Sequence, residues 1–195
     1  MKVFGKYNYY PSYYWGILMS QMDKSNVNLD EDYLRLKGAV EQFIEKNRDA
    51  DEETVYTASL FLNWLNKKTV LVSNEKSFSL PSGVDLRRSK VFWIDFGFNI
   101  GQEFGGRHPA IILRVSGELV FAVPLTSQEP DTTKDHSMFV EVPFIFDFPP
   151  LKRWVNVLNI TSVSIQRIDF SDISGRVKGS VLDDIGLALK KWGIR

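Results

Sequence analysis

The chain has 195 residues, with 24 basic and 24 acidic side chains, so its net charge is zero when both histidines are neutral. This length suits one domain with an extension, and a hydrophobic content of 44% is enough to build a packed core. Zero net charge excludes a polycation that coats nucleic acid or anionic membranes by charge alone. A local basic site remains compatible with it.

Cysteine is absent from the chain, which excludes disulfides, thiol nucleophiles and thiolate metal sites. The two histidines, His108 and His136, lack the spacing of a zinc protease motif, so we expect no metal and no other cofactor. No apolar run approaches the roughly 18 residues that span a bilayer, and the N-terminus has no long apolar signal segment. We therefore expect a cytoplasmic protein without a membrane segment.

The N-terminal part reads as an aromatic arm followed by two helices. Tyrosines crowd residues 1–28, which we interpret as an arm that packs on its own domain or on a partner; stacking on RNA bases is a less favoured alternative, because little basic charge accompanies the rings. Residues 30–48 and 51–67 have apolar side chains at helical spacing and acidic first turns. The short link at 47–50 predicts an antiparallel helical hairpin.

Beyond the helices the hydrophobic period changes to that of short strands. We predict a β-like run at 69–72 and a connector at 73–89. Further strands are predicted at 91–96, 110–115, 119–125, 138–142, 155–160 and 163–168. The segment 180–192 is predicted to be a helix, with acidic residues near its start and lysines near its end. Many short strands without a βαβ rhythm favour a small antiparallel barrel.

A glycine-rich segment at 97–109 joins the first two strands of this barrel. It carries Glu103, Arg107 and His108 on backbone that can approach a ligand closely. It is not a phosphate-binding P-loop, because no Gly-Lys-Ser/Thr follows, and a plain flexible hairpin is the alternative interpretation. Antiparallel pairing would bring the far end of the third strand next to the start of the second. The polar residues at that far end are Thr126, Ser127 and Gln128.

Three segments together resemble the PemK/MazF family of toxins, in order and in approximate spacing. They are Trp-Ile-Asp-Phe-Gly at 93–97, the glycine-rich segment with its following strand at 101–113, and Val-Pro-Leu-Thr-Ser-Gln at 123–128. Residues 165–169 and the last helix also resemble the C-terminal part of the family. The resemblance covers about residues 89–195 as a barrel domain, whereas residues 1–88, the aromatic arm and helices, resemble the extension of some longer relatives.

The resemblance implies an α+β fold: an SH3-like small antiparallel β-barrel with a C-terminal helix, here preceded by the helical hairpin. It implies a homodimer and a metal-independent endoribonuclease that cuts single-stranded RNA at short sequences and is inhibited by a cognate antitoxin. In the family, an arginine directly before the proline and a threonine at the end of the following strand carry catalysis. Thr126 matches the threonine, but the residue before Pro109 is His108, and Arg107 lies one position earlier.

The residue types fit RNA transesterification, which needs proton transfer and a stabilised phosphorane. Because neighbours on an extended strand point to opposite faces, only one of Arg107 and His108 can face the cleft. We assign His108 to proton transfer, Arg107 or Arg167 to phosphate binding, and Thr126 to orienting the phosphate. The further candidates for substrate binding are Glu103, Ser127, Gln128 and Arg167.

Each of these residues has a plainer alternative. His108 could bond a backbone carbonyl at a strand end, Arg107 could be a solvated charge, and Glu103 could cap its own loop. His136 lies in a polar loop and is expected to be solvated. The apolar, proline-broken segment at 144–154 is either a loop packed across the barrel or a partner or RNA surface.

Two other functions remain open at this point. The missing arginine before Pro109 could mark a catalytically impaired binding or regulatory module, and a toxin of the same fold could act on a protein target such as DNA gyrase. The N-terminal helices could cover the cleft as an antitoxin does, or stabilise a dimer.

Overall fold

A computed structural model describes residues 27–131 and 137–193 of the chain. The chain divides into two compact units, residues 1–58 and 59–195. The predictions about the aromatic arm and about His136 lie almost entirely outside the described residues.

Two helices open the described part of the chain, as predicted. Helix α1 spans Leu29–Asn47, and the Asn28 side chain caps it by accepting a hydrogen bond from the Glu31 amide at 3.2 Å. Helix α2 spans Glu52–Ser73, and the Asp51 carboxylate accepts from the Thr54 amide at 3.0 Å. Neither helix fully buries a side chain. None of the helices in the described residues is both long and apolar enough to cross a membrane.

The strand predicted at 69–72 is wrong, because α2 continues through it to Ser73. The Thr69 hydroxyl donates to the Asn66 carbonyl at 2.6 Å, and the Ser73 hydroxyl donates to the Thr69 carbonyl at 2.8 Å. These side chains therefore find their partners within the helix. β-Branched residues lower helix propensity by only a few tenths of a kcal/mol each, and adding residues to an existing helix needs no new nucleation.

Eight antiparallel strands and a closing helix follow. The strands are β1 Lys90–Asp95, β2 Arg107–Ser116, β3 Leu119–Thr126, β4 Phe139–Val142, β5 Arg153–Asn156, β6 Thr161–Ser164, β7 Ile168–Asp169 and β8 Gly175–Arg176. They pair in the order β4-β5-β3-β2-β1-β7, with β6 on β3 and β8 on β1, so in the described residues the pairing is an open path. Helix α3 spans Gly179–Lys191. The expected α+β fold, with antiparallel strands and a C-terminal helix, is confirmed.

The long strands predicted at 155–160 and 163–168 are wrong in their second halves. Each breaks into a short strand followed by one turn of 3₁₀-helix, at Val157–Asn159 and Ile165–Arg167. The Asn156 side chain accepts from the Leu158 amide at 3.0 Å, and Ser164 caps the second turn in the same way. Such local side-chain bonds compete with the sheet ladder and end the strand.

The sheet buries a hydrophobic core on each of its two faces. One core holds Ile111, Val123 and Leu125 and is covered by α3 through Val181 and Ile185. The other holds residues that alternate with these along the strands, among them Phe92, Ile94, Ala110, Ile112 and Ala122. Successive residues of β1 and β2 therefore face different cores, and this alternation decides where Arg107 and His108 point.

Candidate active site

The pairing of β1 with β2 separates Arg107 from His108. Ile94 is opposite His108 and Asp95 is opposite Arg107. The Arg107 guanidinium lies over the Trp93 ring, 4.6 Å from its centroid, and Trp93 packs against the core that α3 covers. His108 shares its face with Ile94, which belongs to the other core. The two predicted site residues thus lie on opposite faces of β2.

His108 lies beside the end of β3, where Thr126 is the last residue. Strands β2 and β3 pair Ala110 with Pro124, and the imidazole two residues earlier interacts with the backbone of Leu125, the neighbour of Thr126. The half-buried imidazole packs on the Phe104 ring with centroids 4.6 Å apart. Burial lowers the pKa of His108, and its interaction with the backbone carbonyl of Leu125 partly opposes that shift. The lowered pKa favours the neutral imidazole, the form that can accept a proton.

Thr126 is the last residue of β3 and is half-buried. Its Oγ1 accepts a hydrogen bond from the Gln128 amide at 3.0 Å, so the turn after the strand orients the hydroxyl. A hydroxyl that accepts one bond can still donate its own hydrogen. Ser127 and the Gln128 side chain are exposed at the same edge.

Arg107 is held by two carboxylates on its own face of the strand. Its Nη2 donates to Asp169 Oδ2 at 2.9 Å and to Asp172 Oδ2 at 2.6 Å. These acceptors raise the pKa of Arg107. Together with the Trp93 ring, these carboxylates hold the guanidinium. Arg107 therefore links β2 to the end of β7 and to the segment that follows it.

The Arg107 cluster predicts an acid-dependent loss of stability. Hydrogen bonds from Ser171 first, and from Arg107 second, lower the pKa of Asp169 to about 2. The folded pKa of Asp169 lies below the ordinary value of 3.8. Its ionised form therefore stabilises the fold fully above pH 3.8, and this stabilisation is lost as the pH falls toward 2. We expect Arg107→Gln to reduce this loss, by no more than about 1 kcal/mol for so exposed a pair. Urea unfolding at pH 4, 3 and 2 measures it, with Arg114→Gln on the same strand as the matched control.

The loop between β1 and β2 is closed at its neck by backbone hydrogen bonds. The Gly97 carbonyl accepts from the Gly106 amide at 2.7 Å, and the Gly106 carbonyl accepts from the Phe96 amide at 2.8 Å. Both glycines have positive φ, +83° and +81°, a conformation that costs other residues about 1–2 kcal/mol. The glycines that marked this segment in the sequence therefore form its neck.

Side chains within the loop fix its interior. Asn99 Nδ2 donates to the Phe104 carbonyl at 2.6 Å, and Glu103 Oε2 accepts from the Ile100 amide at 3.2 Å. Glu103 thus caps its own loop, the plainer of its two predicted roles, while its side chain stays exposed at the site's edge. The same bonds place Phe104, the ring on which His108 packs.

Arg167 approaches the loop from the second 3₁₀ turn. Its Nε donates to the Asp95 carbonyl at 2.7 Å, and its guanidinium lies 4.9 Å from the Trp64 ring centroid. Burial lowers the pKa of Arg167 and the Asp95 charge opposes this, but an arginine stays charged throughout the physiological range. Arg167 also lines a cavity of about 710 Å³ whose other walls include Asn99, Gln102, Glu103 and Phe104.

Sequence reasoning missed the part that α2 plays at this loop. Lys67 Nζ lies 2.5 Å from Asp95 Oδ2, and the rings of Phe61 and Phe98 meet edge to face, 5.5 Å apart. Trp64 and Lys67 fall outside the apolar stripe that identified the helix, so periodicity could not single them out. The Asp169 and Asp172 partners of Arg107 were missed as well, because residues so far apart in sequence meet only through the β1–β7 pairing.

Within 27–131 and 137–193, no three His, Asp or Glu side chains are placed to hold a metal ion.

Several solved structures are similar to part of this chain. The crystal structure of MazF (Form-I) from Deinococcus radiodurans has 22% sequence identity and a TM-score of 0.45, and the alignment covers 55% of this chain and 96% of that chain. MazE-MazF (Form-II) from the same organism has 21% identity and a TM-score of 0.42, with 57% of this chain and 99% of that chain covered. MazE-MazF (Form-III), also from that organism, has 19% identity and a TM-score of 0.40, with 57% and 100% of the two chains covered. Among curated protein sequences no significant match was found.

A family model gives the assignment. The model for the PemK-like, MazF-like toxin of type II toxin–antitoxin systems matches residues 87–192, which is more than half of the 195 residues. The matched region contains all eight described strands, the glycine-rich loop and α3. The chain therefore belongs to the PemK-like, MazF-like family of toxins of type II toxin–antitoxin systems.

Proposed function

We propose that this protein is the toxin of a toxin–antitoxin pair and that it cleaves single-stranded RNA at short sequence motifs in the cytoplasm. The reaction is a metal-independent transesterification. The observation that supports it is a half-buried His108 that follows the glycine-rich loop and interacts with the backbone carbonyl of Leu125, the residue before Thr126.

In this reaction the ribose 2′-oxygen attacks the adjacent phosphorus and displaces the 5′-oxygen of the next nucleotide. His108 accepts the 2′-OH proton, which its lowered pKa favours over a role as the acid. The bond from phosphorus to the 5′-oxygen breaks, and that oxygen takes up a proton from solvent. The products are a 2′,3′-cyclic phosphate and a 5′-hydroxyl end.

The phosphate is held by a hydroxyl and a cation. Thr126 donates its hydrogen to a non-bridging oxygen, and Arg167 supplies positive charge from the wall of the cavity that Phe104 also lines. Arg107 lies on the opposite face of β2 and is held by Asp169 and Asp172, so Arg167 rather than Arg107 takes the phosphate-binding role. Glu103, Ser127 and Gln128 lie exposed at the edges of the site, where they contact the bases beside the scissile bond.

The partners follow from the family. We propose that a cognate antitoxin protein inhibits the toxin and that the toxin acts as a homodimer. The family description supports the antitoxin, and the dimer is checked by sedimentation of the full chain.

The function is tested by incubating the full-length protein with single-stranded RNA and EDTA. We expect cleavage at the same rate with and without the chelator, and no cleavage of a substrate with 2′-deoxyribose at the cut site. Thr126→Val, which keeps the shape and removes the hydroxyl, should lower the rate about 10–100-fold, as expected for one hydrogen bond to a charged group. Intact RNA with growth arrest on expression would indicate a protein target, and intact RNA without arrest a non-catalytic module.

A further inference from the structure

The second half of α2, residues 59–73, packs against the loop that carries the proposed site. We propose that this half-helix is a buttress for the glycine-rich loop and that Trp64 and Lys67 are positioning residues for His108. The inference rests on the proposed function, because it concerns the same site, and it assigns a role to part of the extension that precedes the family's match at residue 87.

The first link is ionic. Lys67 Nζ lies 2.5 Å from Asp95 Oδ2, and the other oxygen of the same carboxylate accepts from the Gly97 amide at 2.9 Å. Asp95 is the last residue of β1. One carboxylate therefore joins the helix to the first glycine of the loop.

The second link is aromatic. The Trp64 ring lies under the Arg167 guanidinium, which donates to the Asp95 carbonyl at 2.7 Å. A Cβ atom on Gly97 would lie only 2.5 Å from the Trp64 ring, so the indole rests directly on the Gly97 backbone. The edge-to-face contact of Phe61 with the next residue, Phe98, extends this packing.

The contacts continue from Gly97 to the imidazole. The Gly97 carbonyl bonds the Gly106 amide at 2.7 Å, two residues before His108. A second series of contacts runs through Asn99, whose side chain donates a hydrogen bond to the Phe104 carbonyl. The Phe104 ring in turn packs on the imidazole. One support of His108 therefore starts at Gly97, on which the tryptophan rests, and the other starts at Asn99, two residues further along the loop.

The geometry favours a support over a lid. The helix contacts fall on Asp95, Gly97, Phe98 and Arg167, whereas His108 contacts Phe104 and Leu125. A cavity of about 460 Å³ remains between the helix and the loop, so the helix braces the loop at its base without filling the space beside it.

The first experiment follows the imidazole directly. Only two histidines occur in the chain, so a proton NMR titration shows two imidazoles, and His136→Gln identifies the His108 signal. We expect Trp64→Ala to raise the His108 pKa toward the ordinary value of about 6.5 and Trp64→Phe to stay near wild type. Tyr56→Ala, on an exposed aromatic residue of the same helix (58% accessible), is the matched control and should change nothing.

The second experiment measures RNA cleavage. Because a misplacement of about 1 Å can cost up to ~10²-fold in rate, we expect Trp64→Ala to lower kcat at least tenfold while KM changes less than threefold. Lys67→Met should act in the same direction, and its neighbour Lys68→Met is the control. Because Lys67 is exposed, Lys67→Met should leave the fold intact. This variant therefore still tests the buttress if Trp64→Ala fails to fold.

The outcomes separate the two proposals. An unchanged His108 titration in folded Trp64→Ala and Lys67→Met proteins overturns the buttress, and so does faster cleavage, which would make the helix an inhibitor. A shifted titration in a wild-type protein that cuts no RNA supports the buttress and contradicts the proposed nuclease function.

Discussion

Replacing His108 by alanine is expected to lower the rate of RNA cleavage by ~10²–10⁴-fold, the usual contribution of a general base. The imidazole is half-buried against Phe104 and interacts with the Leu125 backbone, and burial lowers its pKa. The wild-type rate should therefore fall with acidification along a limb whose midpoint lies below the ordinary histidine value of about 6.5, and this limb should vanish in the variant. Single-turnover cleavage between pH 4.5 and 8 measures both effects.

The matched control is His136→Ala, which should keep the wild-type rate and the acidic limb. A His108→Ala protein with full activity would remove this residue from the mechanism. It would leave Thr126 and Arg167 as the remaining residues of the proposed site.

Ile94→Ala is expected to destabilise the protein by ~2–5 kcal/mol, the range for removing a fully buried large aliphatic side chain. Ile94 has no exposed surface and pairs across the strands with His108. The substitution would therefore leave a cavity next to the proposed base, His108. Urea unfolding measures the loss as a lower midpoint.

Ile100→Ala makes the same chemical change in the glycine-rich loop, where the side chain is 85% exposed. It should alter the free energy of unfolding by less than about 0.5 kcal/mol. Equal losses in the two variants would mean that the core on the Ile94 face is not closed in solution.

Patterns along the chain predicted most of the fold. Short apolar runs rich in β-branched and aromatic residues located β1 to β3, alternation located β4, and apolar side chains at helical spacing with acidic first turns located both N-terminal helices, since these signals are local. The failures have a common cause. In each case a neighbouring residue overrides the local composition. The run at 69–72 has the composition of a strand, but the preceding helix α2 continues through it. At Asn156 and Ser164, side-chain hydrogen bonds start a 3₁₀ turn and end strands that composition alone would extend.

The sequence could identify those residues of the candidate site that lie within the short family motif. It could not identify residues that meet in space but lie far apart along the chain. Glycine spacing and the resemblance singled out His108 and Thr126, and strand alternation already required that Arg107 and His108 diverge. The carboxylates that hold Arg107 come from the end of β7 and the segment after it, and the residues that brace the loop come from α2. Their placement depends on strand pairing and on close packing at Gly97, which no short window of sequence contains.

Helix α2 spans Glu52–Ser73 and its second half contacts the glycine-rich loop, and this affects where the chain can be cut. A protein that began at residue 87, where the family match begins, would lack α2 and would lose Trp64 from Arg167 and Phe61 from Phe98. An aromatic side chain and a half-buried guanidinium would then face water, a surface that promotes self-association. A shortened protein meant to stay monodisperse and active should therefore retain the whole of α2 and begin no later than its cap at Asp51.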